Sequence, residues 1–466
     1  MIATKTKGRI RDFTEGPILS RILMFALPLI ATSILQLLFN TADIVVVGRF
    51  GGSTPEECAI SLAAVGSCGS LISLLVNLFM GLAVGTGISV AHDMGAKDYK
   101  GLSQVVHTAV IAATVCGAFV GVLGFIMAPT FLTWMGTDED VLFQATRYMR
   151  AYFCGVPAGM LYNYCAAMLR STGDTVRPLT FLSISGVANV LLNLVMVLVF
   201  HSGAMGVGIA TAASQWISCV LILLYMLRTD GPCHLSLDQL RVTPEKLRKI
   251  VRLGIPAGIQ GSLFAISNVL IQSSINSLGE IMVAGNTAAA NLEGYIYTAQ
   301  NALYQATLTF VGQNVGAKKY ERLKKCIFYC VGAVTVIGLV MSVGVYVFGR
   351  PLLRIYAPDS EAVIEAGMIR LGISGLTHFL CGMMEVGCGI MRGFGKSLLP
   401  MFTSLIGSCA LRVVWVYTAF SVWPTAQVLY VSYPVTWLIT GIAHFVFAFV
   451  TYKQFVRQEK AALAAV

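Results

Sequence analysis

Apolar residues in this chain form runs instead of alternating or recurring on one helix face. Uninterrupted apolar stretches, broken by short polar or Gly/Pro segments, fall at about 18–47, 59–90, 103–127, 145–169, 178–200, 204–226, 249–276, 281–314, 327–349, 366–391, 398–420 and 425–450. A helix needs about 20 mostly apolar residues to cross a bilayer, so the pattern predicts twelve membrane helices with short connections. Composition agrees. Of 466 residues, 56% are hydrophobic and 12% charged, about half the charge of an ordinary soluble chain. The expected fold class is an all-α polytopic membrane protein with no large extramembrane domain.

Net charge is +10, which in a soluble chain would suggest nucleic acid. Here 24 of the 32 Lys and Arg fall on alternate connections, and 6 (Arg49, Arg147, Arg150, Arg350, Arg354, Arg370) on the others. That is positive-inside bias, so no nucleic-acid partner is expected and both termini are expected in the cytoplasm. Lys5, Lys7, Arg9 and Arg11 precede an apolar run of about 30 residues with no small-residue cleavage site, which reads as a first span and not a signal peptide. The 12 cysteines lie mostly inside apolar runs as small packing residues, with no C-x-x-C and no zinc spacing.

The longest polar stretch, Arg228 to Lys249, falls at the midpoint, and the halves repeat. Met94-Gly-Ala-Lys-Asp-Tyr99 returns as Val315-Gly-Ala-Lys-Lys-Tyr320, and Met168-Leu-Arg-Ser-Thr-Gly173 returns as Ile390-Met-Arg-Gly-Phe-Gly395. Pro28 in the first run corresponds to Pro256 in the seventh. Six spans per half make the repeats parallel, related by a pseudo-two-fold axis along the membrane normal. The expected organisation is an N-tail (1–17), an N-lobe (18–227), a cytoplasmic linker (228–248), a C-lobe (249–450) and a C-tail (451–466).

These paired motifs, with Asn40-Thr-Ala-Asp-Ile-Val-Val-Val-Gly48, resemble the multidrug and toxic compound extrusion (MATE) family along essentially the whole chain. The resemblance implies a bacterial inner-membrane exporter of organic, often cationic, small molecules in exchange for inward Na+ or H+. It also implies alternating access between two lobes, with no cofactor beyond the coupling ion; a monomer is expected. It carries an Asp in span 1, polar residues in span 5 and a Thr in span 6 onto Asp43, Asn189 and Asn193, and Thr211. Many relatives have Asp where this chain has Asn193, and one branch has an acid in span 7, where this chain offers Gln260, Ser267, Asn268 and Gln272.

The residues point to the same positions independently. Counted at 1.5 Å per residue, Asp43, Asn189, Asn193 and Thr211 all lie roughly 8 to 14 Å below the outer surface. Gln36, Asn40 and Asp43 follow i, i+4, i+7 on one face of span 1. A carboxylate in a low-dielectric interior can carry a proton or stand ionised beside a cation, so a Na+ or proton site is expected at Asp43, Asn189, Asn193 and Thr211. The alternative is a buried Asp satisfied by its Asn neighbours.

Inside the spans the reading leaves Asp43, Glu385 and Arg412 as the ionisable residues. Glu385 is either a second protonatable or substrate-contacting group or a residue bonded at the inner rim. Arg412 either tunes the substrate cleft or snorkels to the outer surface. Asn77, Asn268, Gln272, Gln300 and Tyr304 are further cleft candidates, aromatic faces suiting flat cations. Gly81 to Gly87 lacks Gly-Lys-Ser/Thr and reads as close helix packing. A lipid-linked oligosaccharide flippase of the same superfamily is the runner-up, disfavoured by Arg412 being the lone deep cation. An enzyme is not expected, because the six histidines are scattered.

Overall fold

A computed structural model describes residues 12–358 and 360–464; Lys5, Lys7, Arg9 and Arg11 of the expected N-tail lie outside them. The described residues are helical and contain no strand. The order is α1 (Ile18–Phe50), α2 (Pro55–Gly95), α3 (Tyr99–Trp134), α4 (Glu139–Phe153), α5 (Val156–Ser171), α6 (Val176–Leu194) and α7 (Gly203–Arg228). After the linker come α8 (Pro244–Asn276), α9 (Glu280–Gly316), α10 (Tyr320–Val347), the short α11 (Gly349–Tyr356), α12 (Glu361–Arg370), α13 (Phe379–Gly393), α14 (Leu398–Ser404), α15 (Leu411–Trp415) and α16 (Ala426–Ala464). Every predicted apolar run coincides with a helix or a broken helix.

The breaks have local causes. The fourth run splits into α4 and α5 at Cys154 and Gly155, and Pro157 sits in the first turn of α5, where its missing N–H costs nothing. The tenth is bent by 41° between Glu361–Gly375 and Phe379–Gly393. Nine helices among the described residues are long and apolar enough to cross a bilayer unaided. The eighth run, α9, falls short because Asn286, Glu293, Gln300, Thr307 and Asn314 recur every seven residues along it. All five are buried, so this polar stripe is a seam inside the bundle.

The repeated motifs are helix terminators. Lys97 and Lys318 both adopt left-handed φ, 56° and 54°, and each donates its N–H back to the preceding helix, to Met94 and Val315. Gly173 and Gly395, at φ 92° and 78°, close α5 and α13 in the same way, donating to Arg170 and Arg392. A left-handed residue just past the helix captures carbonyls that water cannot reach, which is why the motif recurs in both halves.

The chain forms two compact units, one of Ala31–Gly258 and one of Phe13–Ile30 with Ile259 onward, so that α1 and α8 are each divided between units. In the first unit α2 meets the start of α8 closely at glycines: a Cβ on Gly81 would lie 2.1 Å from Gly258 N, and one on Gly258 would lie 2.0 Å from Leu78 O. The start of α8 is also fastened to α2 by Lys246 and Lys249 on Asp93, at 2.6 and 3.6 Å. In the second unit Phe13 is fully buried, stacked on Phe310 at 4.1 Å, and its N–H donates to Gln313 Oε1 at 3.0 Å. Arg322 closes the strap by donating to the carbonyls of Phe13, Glu15 and Gly16.

The glycine contact generates a prediction. Gly258→Ala should lower stability by about 1–3 kcal/mol through overpacking, while Gly66→Ala, where a Cβ meets open space, should be neutral or slightly stabilising. Thermal unfolding of the two variants in detergent, compared with wild type, checks this; equal tolerance would contradict it.

Candidate functional site

In the first unit the C-terminal parts of α1, α4 and α6 and the first half of α7 converge on Asp43. The carboxylate is half-buried and accepts a hydrogen bond from Asn193 Nδ2. Asn193 is fully buried, and the same Nδ2 lies 3.4 Å from Asn189 Oδ1, one turn earlier on α6. The Thr211 hydroxyl faces the carboxylate and donates to Val207 O at 2.9 Å. Immediately beyond Asn193 the helix continues as a π-helical turn, Val195–Val199, a widening that occurs at functional sites.

Two features of this cluster occur together. No Lys, Arg or His lies within ion-pairing distance of Asp43 among the described residues. Asn193 Oδ1 is buried and accepts no hydrogen bond. A negative charge faced by amides and hydroxyls, with a spare oxygen acceptor beside it, is an arrangement that a proton or a small hard cation completes. The donors on offer are all oxygens: the Asp43 carboxylate, Asn193 Oδ1, Asn189 Oδ1 and Thr211 Oγ1.

Other expected site residues are placed differently. Gln36 and Asn40 share the Asp43 face of α1 but are exposed, as are Asn77 and Asn268. Sequence reasoning also missed Tyr148 and Tyr152 on α4, whose hydroxyls are close enough to Asp43 to feel its charge. Their one-turn spacing at the start of the fourth run was the available signal.

The second unit holds a denser network, and here the list of three buried ionisable residues needs correction. Arg370, expected in an outer loop, is buried at the end of α12, and its Nη2 lies 2.6 Å from Glu293 Oε2 on α9. Its Nη1 donates to Asn286 Oδ1, which also accepts from Tyr430 at 3.2 Å. Asn286 in turn donates to Gln272 Oε1 at 3.3 Å. Glu293 lies well inside the 281–314 run, and its seven-residue spacing from Asn286 and Gln300 was legible in the sequence. A π-helical turn, Leu371–Gly375, follows Arg370 directly.

Arg412 does not snorkel. It is 3% exposed, lies over the Tyr433 ring at 4.4 Å and the Trp437 ring at 5.9 Å, and donates Nε–H to Thr436 Oγ1 at 3.2 Å. Aromatic faces on α16 replace the carbonyls it would otherwise seek. Gln300 is fully buried and donates to His378 O at 3.0 Å, so it is structural here.

Arg392, expected at a cytoplasmic end, is also buried. It donates to Tyr304 and, at 2.9 Å, to Gln260 Oε1. That makes three buried guanidiniums in this unit, where Arg412 alone was expected. Glu385 is half-buried and has no hydrogen-bond or ion-pair partner among the described residues; Arg392 and Tyr297 are its charged and polar surroundings.

Comparison with known proteins follows the repeat. The MatE family model matches residues 28–195 and 256–418, one stretch in each half. The Bacillus subtilis (strain 168) probable multidrug resistance protein YpnP is 28% identical over 437 residues, covering 94% of this chain and 96% of its own. YoeA of the same strain, also a probable multidrug resistance protein, is 28% identical over 399 residues, covering 84% of each. A MOP superfamily transporter from Pyrococcus furiosus, described as having a binding pocket of reverse polarity, superimposes with a TM-score of 0.87. It is 19% identical and covers 96% of this chain and 99% of its own. That likeness speaks for the fold alone. Since the two matched stretches together take in more than half of its length, the chain belongs to the MATE family.

Proposed function

We propose that this protein is a secondary active exporter of organic cationic compounds, driven by inward Na+ or H+ through alternating access between its two halves. The observation that carries the reading is Asp43: a half-buried carboxylate with no cation within ion-pairing distance among the described residues, bonded to a buried amide whose oxygen is open. A proton on Asp43, or a Na+ held by Asp43, Asn189, Asn193 and Thr211, neutralises the site. A cationic substrate needs the same carboxylate ionised. The two ligands therefore favour different states of one residue, which is the requirement for exchange. The names of the curated relatives, multidrug resistance proteins, support this substrate class.

The reading includes the six-helix lobes 18–227 and 249–450, both termini in the cytoplasm, a place in the bacterial inner membrane, and a monomer that transports rather than catalyses. Gln36, Asn40 and Asn77 in the first unit, and Asn268, Gln272 and Tyr304 in the second, are the proposed substrate-contacting groups.

The three buried guanidiniums are the observation that favours the flippase alternative, since a pyrophosphate-linked lipid calls for a row of cations. Arg370 is neutralised by Glu293, and Arg412 lies against two ring faces, which weakens that reading. Purified protein in liposomes, loaded with a fluorescent organic cation and given Na+ and H+ gradients separately, distinguishes them. Wild type should respond to at least one gradient, and Asp43→Asn should lose that response by tenfold or more. An unchanged response in the variant removes Asp43 from the mechanism, and no response in wild type favours the flippase.

Asn193→Ala should raise the half-saturating Na+ concentration about tenfold, the worth of one interaction with a charged group, with Na+-dependent transport as readout. Glu385→Gln should change drug export or its pH dependence; a variant that matches wild type in both would leave Glu385 a rim residue.

A further inference from the structure

A cavity of about 530 Å³ lies in the first unit where the linker folds over the start of α3. Lys100, Ser103 and Gln104 line it from α3, and Asp238, Gln239 and Arg241 from the linker, with His107 as a wall. Lys100 and Arg241 are exposed, and neither has a carboxylate within ion-pairing distance among the described residues. Two open cations face one acid, and the remaining walls offer a hydroxyl and two amides. That is a lining for an oxyanion.

The linker wall is held in place. His107 Nε2 is 3.1 Å from both the N and the O of Ser236, and Nδ1 is 2.7 Å from Ser103 O, so the buried ring joins both walls. The Thr243 N–H donates to Thr108 Oγ1 at 3.0 Å at the other end of the segment. Between these ties the chain makes a single 3-10 turn, Leu237–Gln239.

That turn also carries apolar side chains outward. Leu237, Leu240 and Val242 are 65, 39 and 43% exposed, interleaved with Asp238, Gln239 and Arg241. A free anion has no use for them. A segment lying at the bilayer boundary does, because it sets apolar side chains among acyl chains while its basic groups meet headgroups. The cavity lies beside the first turns of α3 and just before Pro244 opens α8, at the ends of two helices long and apolar enough to cross a bilayer.

We propose that this cavity binds the phosphodiester headgroup of an anionic membrane lipid, with Lys100 and Arg241 as the cations and Ser103, Gln104 and Gln239 as hydrogen-bonding groups. The assignment to the cytoplasmic leaflet rests on the orientation given above. The binding itself does not, and it is independent of Asp43, so failure of either reading leaves the other open to its own test.

The test is native mass spectrometry of the full chain in detergent, titrated with phosphatidylglycerol or phosphatidylcholine. Wild type should hold one phosphatidylglycerol more tightly than phosphatidylcholine. At about fivefold per basic residue, Lys100→Gln/Arg241→Gln should weaken that lipid roughly 25-fold, and the single variants should fall between. Lys324→Gln/Lys325→Gln, which removes the same charge from α10, should leave it unchanged. The proposal is overturned if the first pair binds like wild type, if the α10 pair weakens binding equally, or if the two lipids bind alike. Displacement of the lipid by millimolar inorganic phosphate would overturn the lipid assignment in favour of a soluble phosphate.

Discussion

In a bilayer a buried polar group has no water to fall back on, so each one must find its partner within the protein. The internal arrangement of this chain follows from that constraint. The α9 stripe is buried because its five polar residues face other helices. Arg370 is tolerated because Glu293 lies 2.6 Å away and Asn286 takes a second N–H. Arg412 is tolerated because two aromatic rings and a threonine surround it. Breaking such a pair on one side is expensive, commonly about 3–5 kcal/mol, because an uncompensated charge stays behind. Glu385 lacks such a partner among the described residues, and Asp43 departs from the pattern in its own way. It has hydrogen bonds and no opposite charge, and it stands beside an amide oxygen with nothing to accept.

Helix irregularity makes these placements possible. π-helical turns follow Asn193 and Arg370 at once and flank Arg412 on both sides, at Leu405–Ala410 and Val416–Phe420. Each extra residue in a turn rotates the side chains beyond it relative to those before, so a helix can present a polar group inward without turning its apolar flank inward too. The glycine contact between α2 and α8 serves the opposite end, bringing two backbones together where no side chain intervenes. Rigid contact and local widening thus coexist in one unit.

Much of this was legible in the sequence. The apolar runs marked every long helix though not the short α11, and the paired Gly-Ala-Lys and Arg-x-x-Gly motifs marked the repeat, because both encode left-handed terminations that cannot drift. Asp43 and its amide neighbours were reachable by counting depth along three helices, since a 1.5 Å rise is reliable in straight segments. Depth counting failed where helices bend. Arg370 and Arg392 sit at the ends of apolar runs and read as loop charges, but the 41° bend between Glu361–Gly375 and Phe379–Gly393 belongs to a helix pair that holds both of them inside. Glu293 was within reach, and only the habit of reading α9 as a plain apolar span hid it. Partners across helices, such as the rings around Arg412, were not encoded in any local pattern.

The central claim is that the coupling ion and the exported cation compete for one carboxylate. Equilibrium binding of a fluorescent organic cation to the purified protein, measured across Na+ concentration and pH, tests it without any gradient. Affinity should fall as the coupling ion is added to wild type, and the dependence should vanish in Asp43→Asn. Binding to wild type that ignores both Na+ and pH, or a dependence that survives in the variant, would contradict the account.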